Sequence, residues 1–155
     1  MSRLEGKRAL ITGGSSGIGL QTVRLFLREG ARVVLSGQDE SNLAAVRQEL
    51  GDTVDAFAAD SSDVEQQKEL ARKAAAALNS IDILVINAGI ADLKPVEQWT
   101  EAAYDRTFNV NVRGPFFLIQ ALLPFFAPEA SIVLNASINA HVGMPNTSVY
   151  GASKA

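Results

Sequence analysis

The chain has 155 residues, 47% of them hydrophobic and 20% charged, enough to bury a core of ordinary size in a single domain spanning 1–155. Its net charge of −3 and pI near 5.1 argue against nucleic acid or an anionic membrane as a partner, since either calls for a basic face. With no cysteine and a single histidine, His141, the chain has no means to form disulfides, thiol nucleophiles, zinc-thiolate sites or histidine clusters for a metal.

Met1 to Lys7 carries charge and no apolar stretch of signal-peptide length, which makes a cytoplasmic location the default. Arg8 to Thr12 then reads as a first strand. A glycine-rich turn follows, and Ile18, Val23, Phe26 and Leu27 fall on one face of a helix that Gly30 ends. Arg32 to Leu35 is a second strand, Ser41 to Leu50 a second helix and Thr53 to Ala58 a third strand. Ser62, with Glu65 three residues on, reads as a capping box opening a helix to Leu78. Ile81 to Ile86 is the fourth strand, and a loop from Asn87 to Thr100 leads into a long helical stretch from Glu101 to about Phe126. That stretch is expected to break or kink near Gly114-Pro115, because proline lacks an N–H and crowds the preceding turn. Its most apolar part, Phe116 to Ala127, is too short to span a bilayer and includes Gln120 and Pro124. Ile132 to Asn135 is the fifth strand, and a last helix starts near Ser148. Strands alternating with helices in this way define an α/β fold built on a parallel sheet.

Thr12-Gly13-Gly14-Ser15-Ser16-Gly17-Ile18-Gly19 sits between a strand and a helix, the context in which a glycine pattern points to a dinucleotide. Glycines let the backbone approach a pyrophosphate closely, the helix start presents free N–H groups, and Ser15 and Ser16 add hydroxyl donors. By itself the pattern also fits a tight turn without a ligand. Tyr150 and Lys154 lie four residues apart on one helix face, where a cation would favour the phenolate. An isolated pair of this kind is more often a surface accident. Here Ser137 stands thirteen residues ahead of the tyrosine, just past the fifth strand, at the sheet edge where open α/β folds bind ligands. Ser137 equally suits a turn cap.

Taken together, the spaced glycines of Thr12 to Gly19, Asn87-Ala88-Gly89 after the fourth strand, Ser137, and Tyr150-x-x-x-Lys154 resemble the short-chain dehydrogenase/reductase family. The resemblance implies a Rossmann-like, doubly wound parallel sheet in the order 3-2-1-4-5, C-terminally incomplete. It also implies an NAD(P)-dependent dehydrogenase or reductase acting on a secondary alcohol or ketone. By the same resemblance Tyr150 exchanges the proton, Lys154 holds the nicotinamide ribose and assists Tyr150, Ser137 polarises the carbonyl, and Asn111 holds a relay water. Asp60 would hydrogen-bond the adenine. Asn87, Ala88 and Gly89 would line the cofactor together with Gly13, Ser15, Ser16, Gly17, Ile18, Gly19, Ser36, Gln38 and Tyr150.

The tip of the second strand reads Ser36-Gly37-Gln38-Asp39, with Gln38 where NADP-preferring relatives often place arginine. The expected cofactor is NADP or NAD, with a slight lean to NADP because the small, uncharged Ser36 would not repel the extra phosphate. Family members ordinarily continue through the rest of the Tyr-Lys helix, two strands and a loop over the substrate. This portion is therefore expected to be nearly inactive alone, and a nucleotide-binding module without catalysis is the alternative. Between Gly114 and Ser153 the one formally charged residue is Glu129, which suggests a core or interface surface. The expected partners are a small-molecule substrate and either further copies of the chain or a C-terminal segment.

Overall fold

The computed structural model describes residues 2–155. Five strands, β1 (Arg8–Ile11), β2 (Arg32–Gly37), β3 (Val54–Ala58), β4 (Ile81–Ile86) and β5 (Phe126–Leu134), form one sheet in the order β3-β2-β1-β4-β5. Every pairing is parallel, as right-handed βαβ crossovers require. The order reverses between β1 and β4, leaving a crevice at their carboxyl ends.

Side chains alternate across the sheet, so each strand feeds two cores. Ala9, Ile11, Val33, Leu35 and Val85 pack on one face against Val23 of helix α1 (Gly17–Arg28) and Leu43 and Val46 of α2 (Glu40–Leu50). On the other face Leu10, Val34 and Leu84 meet Leu70, Ala74 and Leu78 of α3 (Val64–Leu78) and Leu118 and Leu122 of α5 (Gly114–Leu122). In chain order a loop and α4 (Glu101–Phe108) follow β4 and lead to α5.

Several boundaries differ from the sequence reading. The cap of α3 is Asp63, whose carboxylate accepts from the Glu65 and Gln66 N–H groups, while Ser62 turns back to Asp60. A carboxylate is a stronger acceptor for free N–H groups than a hydroxyl, and it takes the cap. For the same reason α2 starts at Glu40, capped by Asp39, rather than at Ser41. Ile18 is 71% exposed, so the buried side of α1 is carried by Gly19 and Val23. The helix from Glu101 loosens into a π-helical turn at Asn109–Arg113 before Gly114-Pro115, resumes to Leu122 and tightens into a 3₁₀ turn at Leu123–Phe125, close to the expected end. Strand pairing begins at Phe126, shifts register, and becomes continuous only from Ser131 to Leu134. The charge-poor segment is largely on the surface: Phe116, Leu123, Ile132, Val133, Leu134, Ile138, Val142 and Met144 are all exposed.

At the edge of the sheet opposite the crevice, Arg8 of β1 grips Asp82 of β4 through Nε (2.8 Å), a terminal nitrogen (3.2 Å) and its backbone N–H (2.9 Å). These bonds hold the Asp82 carboxyl below the usual carboxylate range. A carboxyl depressed in the folded state stabilises the fold above its unfolded pKa of about 3.9, and that contribution is lost as pH falls through the folded value. Asp82→Asn is therefore expected to melt below the wild type at pH 7, with the gap closing progressively below about pH 4. A gap that stayed constant in thermal melts from pH 7 to pH 2 would refute this coupling.

Candidate dinucleotide-binding site

The crevice opens into a cleft of about 440 Å³. It is lined by Gly13, Ser15, Ser16, Gly17 and Ile18 of the glycine loop, Ser36 and Gln38 of the β2 tip, Asp60, and Asn87, Ala88 and Gly89 after β4. The fold thus gathers on one surface eleven residues from four separate stretches of sequence that were singled out as cofactor-binding.

The glycine loop turns through two residues of positive φ, Gly13 (+63°) and Gly17 (+52°), a region that side chains with a Cβ rarely adopt. A Cβ on Gly17 would face open space. Gly19 does not line the cleft but lies beneath it, where a Cβ would collide with the Gly13 carbonyl and the Asn87 amide nitrogen. Ser16 precedes the first turn of α1, yet its side chain makes no capping bond, and no acidic residue occupies that turn. The N–H groups at the start of a twelve-residue helix are therefore left for an anion. The ionisable residues lining the cleft are Asp39 and Asp60, so a pyrophosphate would be met by N–H and hydroxyl donors rather than by cations.

Thr12 fastens the loop to β4. Its hydroxyl accepts from the N–H groups of Asn87 and Ala88, both at 3.1 Å, while Asn87 Nδ2 donates to the Thr12 and Gly13 carbonyls at 3.2 Å. At the far end, Gln38 Nε2 donates to Asp60 Oδ2 (3.0 Å) and joins the β2 and β3 tips. Asp60 Oδ1 accepts from the Ser62 N–H and hydroxyl, both at 2.8 Å. With three of about four acceptor directions used, the Asp60 carboxylate keeps room for one more donor.

A second hollow of about 420 Å³ adjoins the first and shares Ala88 and Asn135 with it. Asn111, Ser153 and Lys154 line it. Asn111 sits in the π-helical turn. Its Oδ1 accepts from the Ile90 N–H (2.8 Å), and its Nδ2 donates to the Ile90 carbonyl and Ser153 Oγ, both at 2.9 Å. Lys154, in helix α6 (Ser148–Lys154), donates from Nζ to the Asn135 carbonyl at 2.9 Å. Burial pushes its pKa down. Asn111 Oδ1 and Lys154 Nζ converge on Gly89, each 3.1 Å from where a Cβ would stand.

Ser137 and Tyr150 line neither hollow, and among the described residues no hydrogen bond joins either to Lys154. Ser137 does cap a turn: its oxygen accepts from the Asn139 N–H (3.2 Å) at the start of the 3₁₀ turn Ile138–Ala140. Capping occupies one lone pair, and the serine hydroxyl donates in turn to Asn139 Oδ1 at 3.2 Å. His141 is exposed beyond that turn. Sequence reading placed Thr12 in the glycine motif without its fastening role, and missed Asn135 as part of the site. Asn135 could have been found, since it directly follows β5 at the same carboxyl edge as Ser137; the bonds of the Thr12 hydroxyl exist only once β1 and β4 are paired.

Comparison with known proteins agrees with this arrangement. The chain is 37% identical to the 3-oxoacyl-[acyl-carrier-protein] reductase FabG of Thermotoga maritima, over 99% of its own length and 64% of that protein. It is 34% identical to galactitol 2-dehydrogenase of Agrobacterium fabrum, covering 99% of this chain and 61% of the relative. A short chain dehydrogenase from Burkholderia cenocepacia, solved in complex with NADP, superposes with a TM-score of 0.88 at 34% identity over 98% of this chain and 64% of that one. A blue fluorescent protein from a metagenomic library, solved with NADPH, gives a TM-score of 0.92 at 37% identity, over 97% of this chain and 64% of that one. The chain thus spans less than two thirds of the length of these relatives. The sequence model of the short chain dehydrogenase family matches residues 7–155, nearly the whole chain, and with the parallel sheet and its cleft this places the chain in that family.

Proposed function

We propose that residues 1–155 form the nucleotide-binding domain of an NAD(P)-dependent oxidoreductase that interconverts a secondary alcohol and a ketone. The observation that carries this reading is the acid-free, side-chain-uncapped start of α1, opening on a cleft lined by the β1, β2, β3 and β4 ends. These residues fit a dinucleotide: N–H donors for a pyrophosphate, Asp60 with an acceptor site left for a base, and open space over Gly17. NADP or NAD would be held there, and the NADP and NADPH complexes of two structural neighbours support the slight lean to NADP. When bound, the nicotinamide would supply or accept the hydride.

The chain's own groups supply the rest. Tyr150 gives or takes the hydroxyl proton, Ser137 donates to the carbonyl oxygen, and Lys154 holds the nicotinamide ribose. The lowered pKa of Lys154 weakens its hold on its own proton and suits it to a proton relay. Three hydrogen bonds fix the Asn111 side chain. A relay water would be held at Asn111, by the lone pair left on Oδ1 or by its backbone carbonyl in the π-helical turn before Pro115.

Among the described residues no helix is long and apolar enough to cross a membrane, which is compatible with the cytoplasmic location we propose. The exposed apolar residues of β5 and α5 favour self-association, or pairing with a further polypeptide segment. The test is NAD(P)H-linked turnover of a panel of ketones and secondary alcohols, by the chain alone and with a relative's C-terminal segment supplied. Cofactor-dependent turnover is expected with the segment supplied, and little or none by the chain alone. Saturable cofactor binding without turnover in both would favour the nucleotide-binding module instead.

A further inference from the structure

Among the described residues, one buried side-chain polar atom has no hydrogen-bond partner, Nδ2 of Asn139. It belongs to the residue that surrounds Ser137. The Asn139 N–H donates to Ser137 Oγ, and the serine hydroxyl in turn donates to Asn139 Oδ1, both at 3.2 Å. In this arrangement the serine hydrogen is spent on Asn139 and the amide nitrogen is stranded. A turn of the amide frees the serine hydrogen and gives the nitrogen a partner, leaving the amide oxygen in the unpartnered position in its place. A half-turn of the terminal amide exchanges its oxygen and nitrogen, bringing Nδ2 to the position 3.2 Å from the serine oxygen that Oδ1 now holds.

A serine hydroxyl has two acceptor sites and one donor. With the amide turned, the backbone N–H and the side-chain N–H of Asn139 fill both acceptor sites, and the hydrogen is left to point outward. We infer that Asn139 is a positioning residue that turns its amide nitrogen to the Ser137 oxygen and so reserves the serine hydrogen for a substrate carbonyl. The role of Ser137 in this inference rests on the function proposed above. The turn that carries Asn139 is itself fixed against α6: a Cβ on Gly151, next to Tyr150, would stand 2.8 Å from the Asn139 carbonyl oxygen. Serine and tyrosine are thereby registered to each other through one asparagine.

The orientation is tested without turnover. In NMR spectra of the full chain, the side-chain NH₂ pair of Asn139, identified by its loss in Asn139→Asp, is expected to exchange with solvent about tenfold faster in Ser137→Ala than in the wild type. Backbone amides beyond the turn should be unaffected. A pair already exchanging like that of a surface asparagine, and unmoved by Ser137→Ala, overturns the inference. Where turnover is obtained, Asn139→Asp is expected to lower kcat more than Asn139→Ala, with the KM for cofactor unchanged. The isosteric aspartate can only accept, so it captures the serine hydrogen, whereas alanine leaves it free. A merely structural role gives the reverse order, with the isosteric aspartate close to wild type, and that order also overturns the inference. Absence of turnover bears on the proposed function alone, since the exchange measurement decides the orientation.

Discussion

Valine at Gly19 is expected to abolish dinucleotide binding, weakening it by at least about 100-fold, which corresponds to about 3 kcal/mol of overpacking. A Cβ there meets two groups that cannot retreat independently, the Gly13 carbonyl and the Asn87 amide nitrogen. They are hydrogen-bonded to each other, and Asn87 Nδ2 also donates to the Thr12 carbonyl. Moving either one shifts the loop whose N–H groups would face the pyrophosphate. Gly19→Ala should act in the same direction and more weakly. Gly143→Ala is the control, because a Cβ at that position meets nothing within 4 Å. Fluorescence titration with NADPH and NADH reads the difference, and circular dichroism separates lost binding from lost fold. Unchanged affinity in a folded Gly19→Val would remove the glycine loop from the proposed site.

The second large effect is on turnover. Tyr150→Phe keeps the ring and its packing but removes the group proposed to exchange the substrate's hydroxyl proton, so kcat is expected to fall by about 10²–10⁴-fold, the usual contribution of a positioned proton donor. Cofactor affinity should be unchanged, since Tyr150 lies outside the cleft lining. A loss divided equally between kcat and cofactor binding would point to a structural role for the hydroxyl.

The parallel sheet was legible from strong local signals, namely β-branched runs alternating with helices and a glycine turn, and its order and cleft from the family resemblance together with right-handed crossovers. Eleven of the residues expected to hold the cofactor line one cleft because all stand at the carboxyl ends of neighbouring parallel strands. Illegible features depend on competition or on distance. Ser62 and Asp63 both suit a helix cap, and the choice is made by Asp60, which holds Ser62 elsewhere. The apolar Ile18 fits the buried stripe of α1 by periodicity, yet the close contact of Gly19 with the loop rotates that stripe and leaves Ile18 at the cleft. The break near Gly114-Pro115 was visible in the proline. The π-helical turn just before it places Asn111 within reach of Ile90 and Ser153, contacts 21 and 42 residues apart in sequence. Asn139 carried no signal at all, since its importance lies in a bond to the serine two residues earlier.

The most direct test of the central claim, that the cleft at the β1–β4 switch is a nicotinamide dinucleotide site, is amide chemical-shift mapping of the ¹⁵N-labelled chain titrated with NADPH and with NADH. The expected result is saturable shifts concentrated at Gly13 to Gly19, Ser36 to Gln38, Asp60 and Ser61, and Asn87 to Gly89, lost in Gly19→Val. Shifts that fail to saturate, or that gather away from these residues, would contradict it.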